Sequence, residues 1–209
     1  MANKVQNPEA DVMVEAKGKL ELFFEKWGNK LLYTLVIVAV VLGAFFAYKG
    51  YAERRAVKKN EAASMALSLA TTAEAYAQVA ADYEGAAAAN TAAYLAGAEY
   101  LKAGDLENGA KYLEMYKDGE GAAAEMINAA VYGLRGDIAV EKAEYEAAVE
   151  LYKKAVAASE DAFTHTTYMH KMALVYEAMG DDAQAQQCYK DIVAKYPQTK
   201  MQYERYIKE

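Results

Sequence analysis

The side chains best suited to chemistry in this sequence are two histidines and one cysteine. His165 and His170 are five residues apart, which puts them on different faces of a helix, whereas a helical metal site needs ligands at i and i+4. Cys188 is the only cysteine, which excludes an intramolecular disulfide, and the sequence offers it no candidate base. We therefore expect both histidines at the surface or in a groove, and a structural or solvent-facing thiol rather than a nucleophile.

Acidic pairs and glycines do not complete a catalytic pattern either. Glu160-Asp161 and Asp181-Asp182 fall in predicted links between helices, where carboxylates are normally solvated. The glycines of AGDLENG and LRGDIAV lack the spacing of a phosphate-binding loop after a strand. The sequence predicts a protein that is not an enzyme and that uses no metal, cofactor or small-molecule substrate.

The charge is unevenly distributed along the chain. The formal net charge is -7, but residues 61–209 alone carry 13 basic and 24 acidic side chains, a balance of -11. An acidic domain repels the phosphate backbone, so nucleic acid is not expected as a partner.

A continuous apolar run at residues 31–48 predicts a transmembrane helix. As a helix its 18 residues would measure about 27 Å, close to the ~30 Å thickness of the hydrocarbon layer. A soluble core helix would show a polar face, and only Tyr33 and Thr34 interrupt the run. A cleavable signal would have a shorter apolar core behind a short basic leader, but here residues 1–30 are charge-balanced. The run is therefore predicted to be an uncleaved anchor in membrane lipid.

Residues 1–30 form the predicted leader. Just before the span, apolar side chains recur at helical spacing, which is typical of a short amphipathic helix lying in the membrane interface: Leu20, Phe23, Phe24 and Trp27. The four lysines of the leader nearest the span compare with five basic residues that follow it, from Lys49 to Lys59. The positive-inside count therefore does not decide which side of the membrane holds the rest of the chain.

The clearest repeated unit lies near the C-terminus. If Thr166 is position 1, small, aromatic, glycine and proline residues fall at positions 8, 11, 15, 20, 24 and 32: Ala173, Tyr176, Gly180, Ala185, Tyr189 and Pro197. Small residues at 8 and 20 let two helices approach closely, glycine turns the corner, and proline ends the second helix. This set of positions is typical of a tetratricopeptide repeat.

Two weaker copies start at Asn90 and Ala129, so the three starts are 39 and 37 residues apart. The segment AYAQVAADYEG at 75–85 parallels CYKDIVAKYPQ of the last repeat and adds a half-copy. A helix from about Tyr51 to Tyr83 is expected to continue from the membrane span and to pack as the first layer of the solenoid. The predicted fold is all-α: a transmembrane helix followed by a short tetratricopeptide-repeat solenoid of about three and a half repeats. The predicted domains are 1–30, 31–48, a linking helix and half repeat at 49–85, and the repeats at 86–209.

The concave face of such a solenoid is lined by the first helix of each repeat. Its apolar and aromatic positions give the candidate protein-binding groove: Tyr94, Leu95, Leu101, Leu134, Val140, His170 and Leu174. With few charges, this groove suits an apolar helix or an extended chain. The alternative is that a neighbouring repeat or a terminal helix of the same chain covers several of these side chains.

The order of parts, together with AAYLAGAEYLKAGDLENGAKYLE and GLRGDIAVEKAEYEAAVELYKKA, resembles YfgM-like proteins, the ancillary subunits of the bacterial Sec translocon. The resemblance covers most of the chain after about residue 17. It implies an inner-membrane protein with a cytoplasmic leader and a periplasmic repeat domain. It also implies SecYEG and the prolyl isomerase PpiD as partners, a role in handing exported proteins to periplasmic chaperones, and no catalytic residues. Two other functions fit the same order of parts: a cytosol-facing receptor for precursor proteins, and a scaffold of another envelope complex.

Overall fold

The chain is all-α in a computed structural model that describes the backbone of residues 8–207, with side chains for 17, 18, 21, 23 and 25–207. Nine α-helices follow one another within these residues: α1 (Pro8–Leu69), α2 (Ala73–Asp82), α3 (Ala87–Lys102), α4 (Leu106–Met115), α5 (Ala122–Glu141), α6 (Tyr145–Ala157), α7 (Ala162–Ala178), α8 (Asp182–Lys195) and α9 (Lys200–Tyr203). The chain divides into two compact units, Met1–Val57 and Lys58–Glu209.

The first unit contains most of α1 and the predicted span. Glu25–Leu69 is one candidate membrane-crossing segment within the described residues, and its most apolar window has a mean hydropathy of 2.4 and no buried residue. Lys30 lies over the ring of Trp27 at 4.9 Å. The side chains of Leu20 and Phe24, which belong to the predicted amphipathic face, lie outside the described residues. This long apolar helix is compatible with a membrane anchor or with a signal sequence.

The helix predicted from Tyr51 to Tyr83 is wrong in one respect, because it is interrupted. α1 ends at Leu69, and α2 begins at Ala73. Thr72 is extended (φ -123°, ψ 161°), and its hydroxyl accepts a hydrogen bond from the amide of Ala75 at 3.2 Å. A threonine hydroxyl that caps a new helix competes with continuation of the old one, which is why the chain breaks here.

The second unit is a row of helical hairpins in which each helix packs mainly on its neighbours in sequence. The small residues predicted at positions 8 and 20 are all buried: Gly97, Gly109, Gly136, Ala148, Ala173 and Ala185. A side chain at Gly97 would place its Cβ 2.6 Å from Cγ of Leu113, and one at Gly136 would lie 2.5 Å from the Tyr152 ring. Close approach of the two helices thus requires the glycines.

The corner at position 15 also follows the predicted register. Gly104 and Gly180 occupy it in the first and third copies with φ of +80° and +77°, a left-handed conformation that favours glycine. In the second copy Ala143 takes the positive φ, 58°. Each hairpin therefore turns through a single left-handed residue.

The C-terminal segment, residues 197–207, packs back on the last hairpin. It contains a 3-10 turn at Pro197–Thr199, the short helix α9 and a second 3-10 turn at Glu204–Tyr206. Tyr203 is buried, and the side-chain amide of Gln186 donates to the carbonyl of Tyr206 at 2.8 Å. The C-terminal segment thus covers part of the last hairpin that solvent would otherwise contact.

Candidate functional site

A cleft of about 790 Å³ lies between α3 and α5 and is the best candidate for a binding site. Its lining is mainly apolar or aromatic. The residues come from α3, the link to α4, the start of α4, α5 and one position of α7: Tyr94, Leu95, Ala98, Glu99, Leu101, Lys102, Gly104, Leu106, Ala130, Leu134, Asp137, Ile138, Glu141 and Tyr168. We call this feature the α3–α5 cleft. It is formed by the first helices of two consecutive repeats, which is where the register places the concave face.

Four of the seven candidate groove residues line this cleft: Tyr94, Leu95, Leu101 and Leu134. All four are half-buried. Tyr94, Leu101 and Leu134 also pack against a buried cluster that includes Leu113. Leu95 is not among the side chains packed on that cluster. Of the four predicted residues, Leu95 can therefore be substituted with the least effect on the buried cluster.

The other three candidates lie elsewhere. Val140 packs against a buried cluster that extends from α5 to the C-terminal segment, and Leu174 is 46% exposed and does not line the cleft. His170 is half-buried, with its ring centroid 5.5 Å from those of both Tyr203 and Tyr206. These three residues do not line the α3–α5 cleft, and the C-terminal segment packs against the ring of His170. Their roles in binding stay predictions.

Tyr168 is a cleft residue that the position counting missed. It comes from α7 and fills the space left by Gly133 on α5, where a Cβ would lie 2.1 Å from its ring carbon Cε1. Burial, with the nearby Asp137 carboxylate, raises the pKa of Tyr168 to about 12. The sequence feature that could have predicted this position is a glycine in one repeat and a tyrosine at the facing position of the next. It is recognised only when the sequences of both repeats are compared.

A polar network fixes the wall of the cleft where α5, α6 and α7 meet. The hydroxyl of Tyr152 donates to Oδ1 of Asp137 at 2.7 Å, and Nζ of Lys171 donates to both carboxylate oxygens at 2.7 Å. Burial and the hydrogen bond to Asp137 raise the pKa of Tyr152 well above its usual range. Tyr152 and Tyr168 stack with centroids 6.2 Å apart. The Asp137 charge is thus neutralised by a half-buried ion pair, and these bonds hold the wall in one arrangement.

The histidines and the cysteine are all placed by packing. His165 is buried, and its Nδ1 lies 2.6 Å from the Tyr196 hydroxyl and 2.9 Å from Nζ of Lys195, so the expectation of a surface or groove position is wrong for it. Burial lowers the pKa of His170. Cys188 is buried, which raises the pKa of its thiol to about 11. A thiol that stays protonated at neutral pH is a poor nucleophile, as predicted.

Two sequence segments of the second unit match a known protein family. Profiles of the tetratricopeptide-repeat family match residues 129–161 and 168–199. Both segments are tetratricopeptide repeats. The predicted start Ala129 is the first residue of one match, and the predicted start Thr166 lies two residues before the other. The repeats therefore confirm an all-α solenoid of a class whose concave surfaces bind other proteins.

Solved structures give a more distant likeness. Two crystal structures of MamA align with this chain at a TM-score of 0.47 and 21% sequence identity each. The alignments cover 60% of this chain and 67% or 62% of the MamA chain. A search of curated protein sequences found no significant match. The assignment of the repeats thus rests on the two profile matches and on the buried register positions.

Proposed function

We propose that this chain is a membrane-anchored, non-catalytic adaptor that holds an apolar segment of a partner protein in the α3–α5 cleft. The observation that carries the proposal is the cleft itself. It lies on the first helices of consecutive repeats, the surface that solenoids of this class use for partners. Its volume of about 790 Å³ is enough for several side chains, and none of its lining residues comes from the C-terminal segment.

The anchor is supported by the exposure of the apolar run. Large apolar side chains of residues 31–48 are uncovered by protein, with exposed fractions of 68% for Leu35 and 64% for Phe46. A contiguous apolar surface of this length is costly in water and favourable in a bilayer. We propose that residues 31–48 span the membrane and that the leader, residues 1–30, and the repeat domain lie on opposite sides.

The resemblance to YfgM-like proteins supplies the proposed partners and location. In this proposal the span lies in the bacterial inner membrane, the N-terminus is cytoplasmic and the repeats are periplasmic. The partners are SecYEG and a PpiD-like isomerase, and the adaptor assists the handover of exported proteins to periplasmic chaperones.

A second candidate is a cytosol-facing receptor for precursor proteins. It is favoured by one observation, the five basic residues between Lys49 and Lys59, which exceed the four lysines of the leader nearest the span. Basic residues normally stay on the cytoplasmic side, so this count would keep the repeats there.

Capture from membranes tests the proposed partners. The tagged full-length chain is purified from detergent-solubilised membranes, and the bound proteins are quantified by mass spectrometry beside an unrelated single-span protein with the same tag. The proposal expects SecYEG and the PpiD-like isomerase to be enriched over this control. Recovery of both at the control level would contradict it, and enrichment of cytosolic targeting factors in their place would favour the receptor.

A further inference from the structure

The charges around the α3–α5 cleft are unbalanced. Three carboxylates line it, from Glu99, Asp137 and Glu141, against the single ammonium of Lys102. The ammonium of Lys171 neutralises Asp137 at 2.7 Å, and the hydroxyl of Tyr152 donates to the same carboxylate. Glu99 and Glu141 then face the single ammonium of Lys102, which leaves one negative charge in excess.

Glu99 is only loosely engaged. Its carboxylate pairs with Lys102 one helical turn away, and the lysine side chain is 70% exposed. Exposed pairs of this kind contribute about 0–1 kcal/mol, because water competes for both charges and the long side chains lose freedom. A cation presented from within the cleft can therefore replace Lys102 at little cost.

Glu141 has no ion-pair partner among the described side chains, although it is the last residue of α5. A helix C-terminus carries partial negative charge, which a basic residue in the last turn usually offsets. The last turn of α5 contains no basic residue, and Lys142, which follows it, does not line the cleft. Two sources of negative potential thus meet at this end of the cleft, and α5 contributes no cation to the lining.

We propose that the α3–α5 cleft selects apolar protein segments that carry a lysine or arginine, with Glu99 and Glu141 receiving the cation. The inference rests on the proposed function and specifies the chemistry of its partner. The apolar lining provides the contact area, while the two carboxylates distinguish a basic segment from an acidic one. The balance of -11 over residues 61–209 acts in the same direction by attracting basic segments before contact.

Peptide binding to the full-length chain tests this proposal. The protein is held in detergent micelles, and the probes are two fluorescent leucine-alanine peptides of about 12 residues, or about three helical turns, which differ only in carrying lysine or glutamate at both ends. Anisotropy is measured for the wild type, for Glu99→Gln/Glu141→Gln, and for Glu146→Gln/Glu150→Gln, a matched control that removes two charges from exposed positions of α6. Partition of each peptide into protein-free micelles is measured separately and subtracted.

The wild type and Glu146→Gln/Glu150→Gln are expected to bind the lysine peptide more tightly than the glutamate peptide, and Glu99→Gln/Glu141→Gln to lose roughly fivefold of that preference. The preference is also expected to shrink as salt is added. Equal binding of both peptides to the wild type would overturn the charge selection and leave the adaptor function standing. Failure of both peptides to bind would overturn both, and binding only to a self-associated chain would assign the cleft to a second copy and overturn the proposal.

Discussion

At the scale of single residues, the repeats depend on positions where no side chain can be larger. Ala173 and Ala185 are each almost completely buried, with exposures of 0% and 1%, and they lie at the positions where the two helices of the last hairpin cross. Interiors are packed as densely as organic crystals, so an added group must displace its neighbours. Small residues are therefore needed at positions 8 and 20 for the two helices to cross closely.

We predict that Ala185→Leu lowers the stability of the repeat domain by about 1–3 kcal/mol, because three extra carbon atoms must enter a filled contact. The melting temperature of the full-length chain in detergent, followed by circular dichroism, measures the effect. Ala183→Leu is the matched control, since Ala183 is exposed on the same helix. If both variants melt at the wild-type temperature, Ala185 does not lie at a helix crossing and the register is wrong.

The buried thiol gives a second prediction at this scale. Cys188 should resist alkylation at pH 8 in the folded chain and react readily once urea unfolds it, because burial raises the thiol pKa to about 11 from an unfolded value near 8.5. The unfolded chain releases this proton at lower pH than the folded one, so the stability contributed by Cys188 is present below pH 8.5 and is lost as the pH rises toward 11. Mass spectrometry after timed alkylation measures the reaction. Equal rates with and without urea would contradict the burial.

Residue positions were predictable where one repeat alone determines them. The small residues at 8 and 20 and the glycine corner follow from contacts inside a hairpin, and the sequence contains both partners of each contact close together. Tyr168 and the burial of His165 depend on contacts with other elements, Gly133 and Tyr196, which lie 35 and 31 residues away in sequence. Four of the seven groove candidates share one cleft because they lie on the first helices of adjacent repeats.

At the scale of helices and links, the break between α1 and α2 is the main departure from the predicted layout. The sequence between Tyr51 and Tyr83 is rich in alanine and contains no proline or glycine, so propensity alone favours a continuous helix. The hydroxyl of Thr72 instead supplies the start of a new helix, α2. The predicted boundaries at 30, 48 and 85 stay predictions.

We predict that Thr72→Ala destabilises the start of α2 by about 1 kcal/mol, because the amide of Ala75 loses its acceptor. Hydrogen exchange read by mass spectrometry should show faster exchange over α2 and little change in α7 and α8. The matched control is Thr71→Ala, since Thr71 is exposed and makes no capping bond among the described residues. Equal exchange in the two variants would mean that another feature terminates α1.

The whole molecule combines a long apolar helix with a short acidic solenoid, and its orientation is a prediction at that scale. In intact spheroplasts, added protease should degrade the repeat domain while the leader survives, because we propose that the repeats are periplasmic. Immunoblotting with tags at each end of the chain follows the two parts, and a cytoplasmic marker protein shows that the membrane is intact.

Survival of the repeats with the marker would place them in the cytosol and favour the receptor function. A repeat domain that is released into the soluble periplasm without its N-terminal tag would identify residues 31–48 as a cleaved signal. The three outcomes are distinguished by which tag remains and where it is found.

The central claim, that the α3–α5 cleft holds a partner protein, is tested most directly by a pair of glutamate substitutions. Leu95→Glu places a charge in the apolar cleft at a residue not packed on the buried cluster, and Met126→Glu places the same charge at an exposed residue of α5 outside the cleft. Because an unpaired charge opposite an apolar partner is costly, Leu95→Glu should lose most of the partner recovered from detergent-solubilised membranes. Met126→Glu should recover as much as the wild type, and both variants should melt at the wild-type temperature. Full recovery with Leu95→Glu in a chain of unchanged melting temperature would contradict the claim.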